Sequence, residues 1–260
     1  MNFDPILDIV EYRCTGDLNL YDSIDCKTLT TQACTGRHLR VRQQDLDNPL
    51  NRQAIQVELC EDDYPGWLAI ADLDRIELAK TLYQFQSVSE AEIQSKLPAV
   101  IAFSHKAMNV SNSYLWGGTV GPDYDCSGLI QTAFASQGIW LPRDAHQQEA
   151  FTEDIIQNTL PNHTQNTLLD QIQAVISCLQ IGDLIFFGTH RKATHVGLYL
   201  GQGRYIHSSS SEKGRNGIGI DVISDQGDRV SQEYYQQLRG AGRVVRSYHS
   251  GAESIFYSED

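Results

Sequence analysis

The chain has no cluster of lysine or arginine, and its 20 basic side chains face 33 acidic ones, for a formal charge of −13. Phosphate polymers are held by grouped cations, so neither nucleic acid nor an anionic membrane surface is an expected partner. The acidic balance by itself reads as ordinary solubility. Long apolar runs are missing too, all falling far short of the ~18 residues that span a bilayer. Met1-Asn2-Phe3-Asp4-Pro5 has no basic region, and Asp4, Asp8 and Glu11 interrupt any apolar one. The expectation is a cytoplasmic protein without a secretory signal. No C-x-x-C occurs among Cys14, Cys26, Cys34, Cys60, Cys126 and Cys178, which removes the main support for a redox motif or a zinc ribbon. Reduced thiols are the better assumption for such a chain. There is no internal repeat.

What remains is the composition of a folded protein, 260 residues long, with enough apolar content for one large core or two modest ones. Two textures divide it. From about Asp17 to Leu78, Leu18-Asn19-Leu20-Tyr21, Leu39-Arg40-Val41-Arg42 and Ile55-Gln56-Val57-Glu58-Leu59 alternate apolar and polar residues between turn-rich stretches. That is the period of half-buried strands, and five or six in some 65 residues predict a small barrel. Ser89 and Glu92 fit a capping box opening some twenty helix-compatible residues, in which Pro98 is tolerable near the first turns but argues for a break.

Cys126 stands between Gly117, Gly118, Gly121 and Pro122 on one side and Leu129, Ile130, Ala133 and Phe134 at helical spacing on the other. This places it in the first turn of a helix. Unpaired N–H groups there favour an anion, so the thiol pKa is expected to fall toward neutrality, and the same groups can hold an oxyanion. On position alone, a buried structural cysteine is an equal reading. Two histidines weigh against it. Thr194–Leu200 and Arg204–Ser208 alternate about Gly201-Gln202-Gly203 and read as a hairpin with a three-residue loop. In that register His207 lies opposite Gly197, and His195 sits diagonally beside it on the same face, with Gly197 leaving room for the two rings to meet. A two-residue loop would put them on opposite faces. The pair reads as a general base, His195, and its orienting partner, His207. His38, His105, His163, His190 and His249 lack patterned neighbours and are taken as surface residues, and His146 is left open.

Val57 to Leu68, with Leu18–Tyr21, resembles a bacterial SH3-like domain. Tyr-Leu-Trp-Gly-Gly (114–118), Asp-Cys-Ser-Gly-Leu (125–129), Leu-Pro-Arg-Asp (141–144), Gly-Asp-Leu-Ile-Phe-Phe (182–187), His-Val-Gly-Leu-Tyr-Leu-Gly (195–201) and Ile-His-Ser (206–208) together resemble the NlpC/P60 family of papain-like cysteine peptidases. The resemblance implies an α+β chain: an SH3-like β-barrel over 1–86, a peptidase domain of helices on an antiparallel sheet over 87–250, and a flexible tail over 251–260. It implies Cys126 as nucleophile, His195 as base, His207 as third member and Tyr114 near the oxyanion. Asp125, Ser127 and Trp116 are then substrate-binding positions. In the subgroup that takes peptides with a free N-terminal L-Ala, acidic and tyrosyl residues of the SH3-like domain close one end of the site, and Glu58 and Tyr64 match them. The implied activity is cleavage between D-γ-glutamate and a diamino acid in murein peptides such as L-Ala-γ-D-Glu-diaminopimelate, without cofactor or metal, in cell-wall peptide recycling. Two alternatives stay open: a zinc site on Cys126, His195 and His207, and a non-catalytic peptide-binding protein.

Overall fold

The computed structural model describes residues 9–47, 52–155 and 176–251. The tail expected over 251–260 lies outside them apart from Gly251. The chain divides into two compact units, one running through Ser87 and including Trp116–Val120 and the stretch from Tyr248, the other comprising Val88–Leu115 and Gly121–Ser247.

The first unit is β-rich, with strands β1 (Ile9–Cys14), β2 (Leu18–Tyr21), β3 (Leu29–Ala33), β4 (His38–Arg42), β5 (Ala54–Leu59), β6 (Pro65–Ala69) and β7 (Ile76–Leu78), and a short helix α1 (Gln43–Asp47). They form one antiparallel sheet in the order β3-β2-β6-β5-β4-β1-β7. The alternation seen in the sequence buries Leu18, Leu20, Leu39, Val41, Ile55, Val57 and Leu59 in one core. The opposite face of β4 and β5 carries a second kind of interior. Arg40, directly across from Glu58, donates to Glu58 Oε1 at 2.6 Å and to Asp63 Oδ1 at 2.8 Å. Arg37 donates to Glu61 Oε2 at 3.1 Å and to Asp62 Oδ1 at 2.8 Å. All six side chains are buried. A buried ion that loses its partner is far costlier than an exposed one. Arg37→Ala is therefore expected to destabilise the protein by about 3–5 kcal/mol, and a urea midpoint equal to that of the native chain would rule this out.

The second unit packs α2 (Glu90–Met108), α3 (Cys126–Ala135), α4 (Ala145–Phe151) and α5 (Arg229–Tyr235) around strands β8 (Glu153–Asp154), β9 (Leu184–Gly188), β10 (Ala193–Gly201), β11 (Arg204–Ser209), β12 (Gly217–Val222) and β13 (Leu238–Arg243). The strands form an antiparallel sheet in the order β12-β11-β10-β9-β13-β8. The Ser89–Glu92 capping box is present. Pro98, however, does not break α2, which continues through it to Met108. Ile93, Leu97 and Val100 are buried on either side of the proline, and that packing outweighs one lost backbone hydrogen bond.

Alternate residues of the central strands face two cores. Leu184, Phe186, Val196, Leu198 and Ile206 meet residues of α2 and α3, while Ile185, Phe187, Tyr199 and Tyr205 meet Val230 and Tyr234 of α5. The hairpin turn differs from the expected three-residue loop. β10 and β11 are joined by two residues, Gln202 (φ 55°) and Gly203 (φ 73°), the left-handed pair of a tight hairpin turn. A bulge between Tyr199 and Gly201 then adds one residue, so that Tyr199 pairs Tyr205 and Leu198 pairs Ile206. The bulge restores the register that the shorter turn alone would have flipped.

Candidate active site

Cys126 is the first residue of α3, and its neighbour Asp125 is the cap. Asp125 Oδ1 accepts from Gly128 N at 2.6 Å, satisfying a backbone donor that the helix cannot. Arg143, nearly fully buried, holds the same carboxylate through two bonds, Nη2 to Oδ2 at 2.6 Å and Nη1 to Oδ1 at 3.1 Å. Ser127 Oγ joins this group, donating to Asp125 and accepting from Arg143. Both oxygens of Asp125 are thus engaged inside the protein. Leu129, Ile130, Ala133 and Phe134, the apolar face read from the sequence, are fully buried.

The thiol is 6% exposed. Burial above all, and then the charge of Asp125, push it up to about 12; the Val196 and Ser127 N–H groups and Arg143 act in the opposite direction. The expected fall toward neutrality is corrected: the helix start does favour the anion, but desolvation outweighs it. The Val196 contact places the sulfur at the backbone of β10, one residue beyond His195.

His195 Nε2 lies 2.6 Å from His207 Nδ1, and the rings meet edge-to-face. Gly197 has a second part beside the one expected of it. A Cβ there would come within 2.6 Å of the Tyr205 ring, so its bare backbone accommodates Tyr205. His207 Nε2 is 2.6 Å from Asp221 Oδ2, and Arg215 binds both oxygens of Asp221. An anionic carboxylate only accepts, so the proton on Nε2 of His207 points at Asp221. His207 Nδ1 then accepts from His195 Nε2–H, and the free lone pair of His195 is on Nδ1. Tyr234 of α5 stacks on His195 at 4.2 Å between centroids and bonds to Ser209 Oγ at 2.8 Å. Burial, then the charges of His207 and Lys213, hold His195 well below the ordinary imidazole value. Tyr114 is kept protonated by burial and then by the nearby charges of Cys126 and Asp125, which leaves its hydroxyl as a donor.

The second unit therefore gathers Cys126, Tyr114, Asp125 and Ser127 about one helix start and joins His195 to His207. Glu58, Tyr64 and Trp116 belong to the first unit. Glu58 is fully buried against Arg40 rather than an exposed strand end. Tyr64 shares a hydrogen bond of 3.3 Å with Thr30 Oγ1, and Trp116 is 66% exposed. Asp144 caps α4 in a box with Gln147, and His146 faces solvent. The zinc alternative finds no support in this arrangement, since both nitrogens of His207 are engaged in hydrogen bonds and no three His, Cys, Asp or Glu side chains among the described residues are placed to hold a metal. Asp221, Arg215 and Tyr234 were missed from the sequence, and Arg143 stood in the Leu-Pro-Arg-Asp match without a role. Asp221 could have been found by extending the hairpin register one strand further, along Gly217-Ile218-Gly219-Ile220-Asp221.

The fold is α+β, with an SH3-like segment ahead of helices on an antiparallel sheet. Residues 111–239 match the NlpC/P60 family, and residues 20–73 match the bacterial dipeptidyl-peptidase Sh3 domain; the chain carries an NlpC/P60 domain behind an SH3 domain of that kind. It is 37% identical over 103 residues to a bifunctional muramidase/DL-endopeptidase of Bacillus subtilis, covering 38% of this chain and 25% of that protein. It is 34% identical over 135 residues to a γ-D-glutamyl-L-lysine dipeptidyl-peptidase of Bacillus cereus, covering 51% of this chain and 32% of that one. The matched stretches thus span about a quarter to a third of these relatives. A crystal structure of an NlpC/P60 family protein from Bacillus cereus aligns over 92% of this chain and 64% of that one, at 20% identity and a TM-score of 0.41.

Because burial holds thiol and imidazole neutral when each is taken alone, the charged pair forms only by proton transfer between them. Alkylation of Cys126 by iodoacetamide at pH 7 is accordingly expected to depend on His195, with His195→Ala slowing it at least ~10-fold. Peptide mapping that shows the same rate in both proteins would separate the thiol from the ring.

Proposed function

We propose that the chain is a cysteine peptidase acting on peptides of peptidoglycan. The observation that carries this is the Cys126 thiol at a helix start against the amide of Val196, the residue that follows His195, whose proton pattern is fixed by a second histidine. In this reading His195 Nδ1 takes the thiol proton as the sulfur attacks the substrate carbonyl. N–H groups of the first turn of α3 and the Tyr114 hydroxyl receive the developing oxyanion. His195 then protonates the leaving amine as the thioester forms, and water, deprotonated by the same ring, attacks the thioester, breaking its C–S bond to free the acid product while the ring returns the proton to the sulfur.

The finer proposal concerns substrate and place. The names of the Bacillus relatives, a γ-D-glutamyl-L-lysine dipeptidyl-peptidase and a DL-endopeptidase, support a bond between D-γ-glutamate and a diamino acid. The favoured substrate is a released stem peptide with a free N-terminal L-Ala. Six free cysteines suit a reducing compartment, in keeping with recycling in the cytoplasm.

Cys126→Ala is expected to abolish hydrolysis of L-Ala-γ-D-Glu-diaminopimelate while leaving the fold intact, and unchanged turnover would refute the thiol mechanism. A site built to pair a free ammonium leaves polar groups unpaired when that amine is blocked. The N-acetylated peptide is therefore expected to show kcat/KM at least ~100-fold lower, and equal cleavage of both peptides would remove the free-amine specificity.

A further inference from the structure

We propose that Asp221 and Arg215 are positioning residues of this site, Asp221 fixing the protons of the two histidines and Arg215 setting how much of its charge they feel. The proposal rests on the peptidase reading above.

The geometry is a single line of hydrogen bonds across three strands: His195 on β10, His207 on β11 and Asp221 on β12, with 2.6 Å at each step. Both histidines and the carboxylate are buried, so water does not replace a missing partner. Asp221 decides the tautomer, because its carboxylate can only accept. Without it, His207 is free to carry its proton on Nδ1, which turns a second donor toward His195 Nε2–H and breaks the pair. The carboxylate also favours the imidazolium that forms when Cys126 gives up its proton, as an anion two rings away in a dry interior.

Arg215 works against that second effect. Its guanidinium binds both oxygens of Asp221, keeping the carboxylate ionised while offsetting its field at the histidines. Room for it comes from Gly219, where a Cβ would fall 2.2 Å from Arg215 Nη1. That atom ends a flexible side chain, so an alanine at 219 can be accommodated by moving the guanidinium away. Other charges near the line are Lys213 toward His195 and Asp228 toward His207. The phenols of Tyr205 and Tyr234 also lie against the His207 ring. All four are unchanged in the variants below.

The two residues therefore have opposite signs, which a merely structural role does not produce. The test is the rate of Cys126 alkylation by iodoacetamide at pH 7, together with the histidine titrations followed by NMR in a Cys126→Ala background. Asp221→Asn is expected to slow alkylation on the order of 10-fold and to lower the histidine pKa by about one unit. Arg215→Gln and Gly219→Ala are expected to accelerate alkylation at least ~2-fold and to move the titration up. Thermal melts confirm that each variant is folded. A fall in rate in all three variants, or no change in any, overturns the proposal. If His195→Ala slows alkylation and Asp221→Asn does not, this proposal fails while the peptidase reading stands. If His195→Ala also leaves the rate unchanged, both fail together.

Discussion

Desolvation is the constraint on which the candidate site depends. The thiol and both imidazoles lie where water cannot solvate a charge, and each is pushed toward its neutral form. Catalysis of the proposed kind requires a thiolate and an imidazolium, so the surroundings must favour the pair without favouring either ion alone. The N–H groups at the start of α3 act on the sulfur, and the hydrogen-bonded line to Asp221 acts on the ring. Asp125 shows the tension: the carboxylate that caps the helix also repels the sulfur anion one residue away, and Arg143 offsets that repulsion while packing the loop that leads into α4. A thiol that burial pushes toward its neutral form is also less open to oxidation, which like alkylation proceeds through the thiolate.

The first unit meets the same constraint with a different solution. Four carboxylates, Glu58, Glu61, Asp62 and Asp63, share two guanidiniums inside a small β-sheet domain. The planar fork of arginine lets one cation satisfy two acids at fixed angles. Here the ion pairs are part of the folded structure and fix the geometry of the turn after β5; in the second unit the proposed ions are transient. Buried pairs of the first sort add little net stability over an apolar replacement, and their effect is to set where the chain turns.

Much of this was legible in the sequence because it rests on periodicity. The strands at Leu18, Leu39 and Ile55, the helix opening at Cys126 with Leu129, Ile130, Ala133 and Phe134 buried, and the His195–His207 pairing all follow from counting residues per turn or per pleat. What escaped the reading depends on quantities that periodicity does not contain. The direction of the Cys126 shift turns on a competition between helix start and burial, and the depth of burial is a tertiary fact. The bulge at the end of β10 leaves no mark in composition. A turn one residue shorter than expected and a strand one residue longer cancelled, so the register was right while the turn was not. Pro98 failed as a breaker because the helix around it is held by core contacts on both sides.

Two glycines make the line of side chains possible. Continuing the observed pairing of β10 with β11 places Gly197 directly across from His207, and β12 places Gly219 across from it on the other side. Direct neighbours on one face of an antiparallel sheet stand closer than diagonal ones, so a side chain longer than a methyl at 197 or 219 would screen His207 from its diagonal neighbours. With both positions bare, His195 and Asp221 reach the ring from opposite corners. The space left over is not empty: the Tyr205 ring takes it at Gly197 and the Arg215 guanidinium at Gly219. Each glycine thus opens the diagonal and admits the group that supports it. A hydrogen-bonded relay across three strands therefore requires residues small enough to leave the diagonal open on both flanks of its middle member, a condition that the spacing of histidines alone does not express.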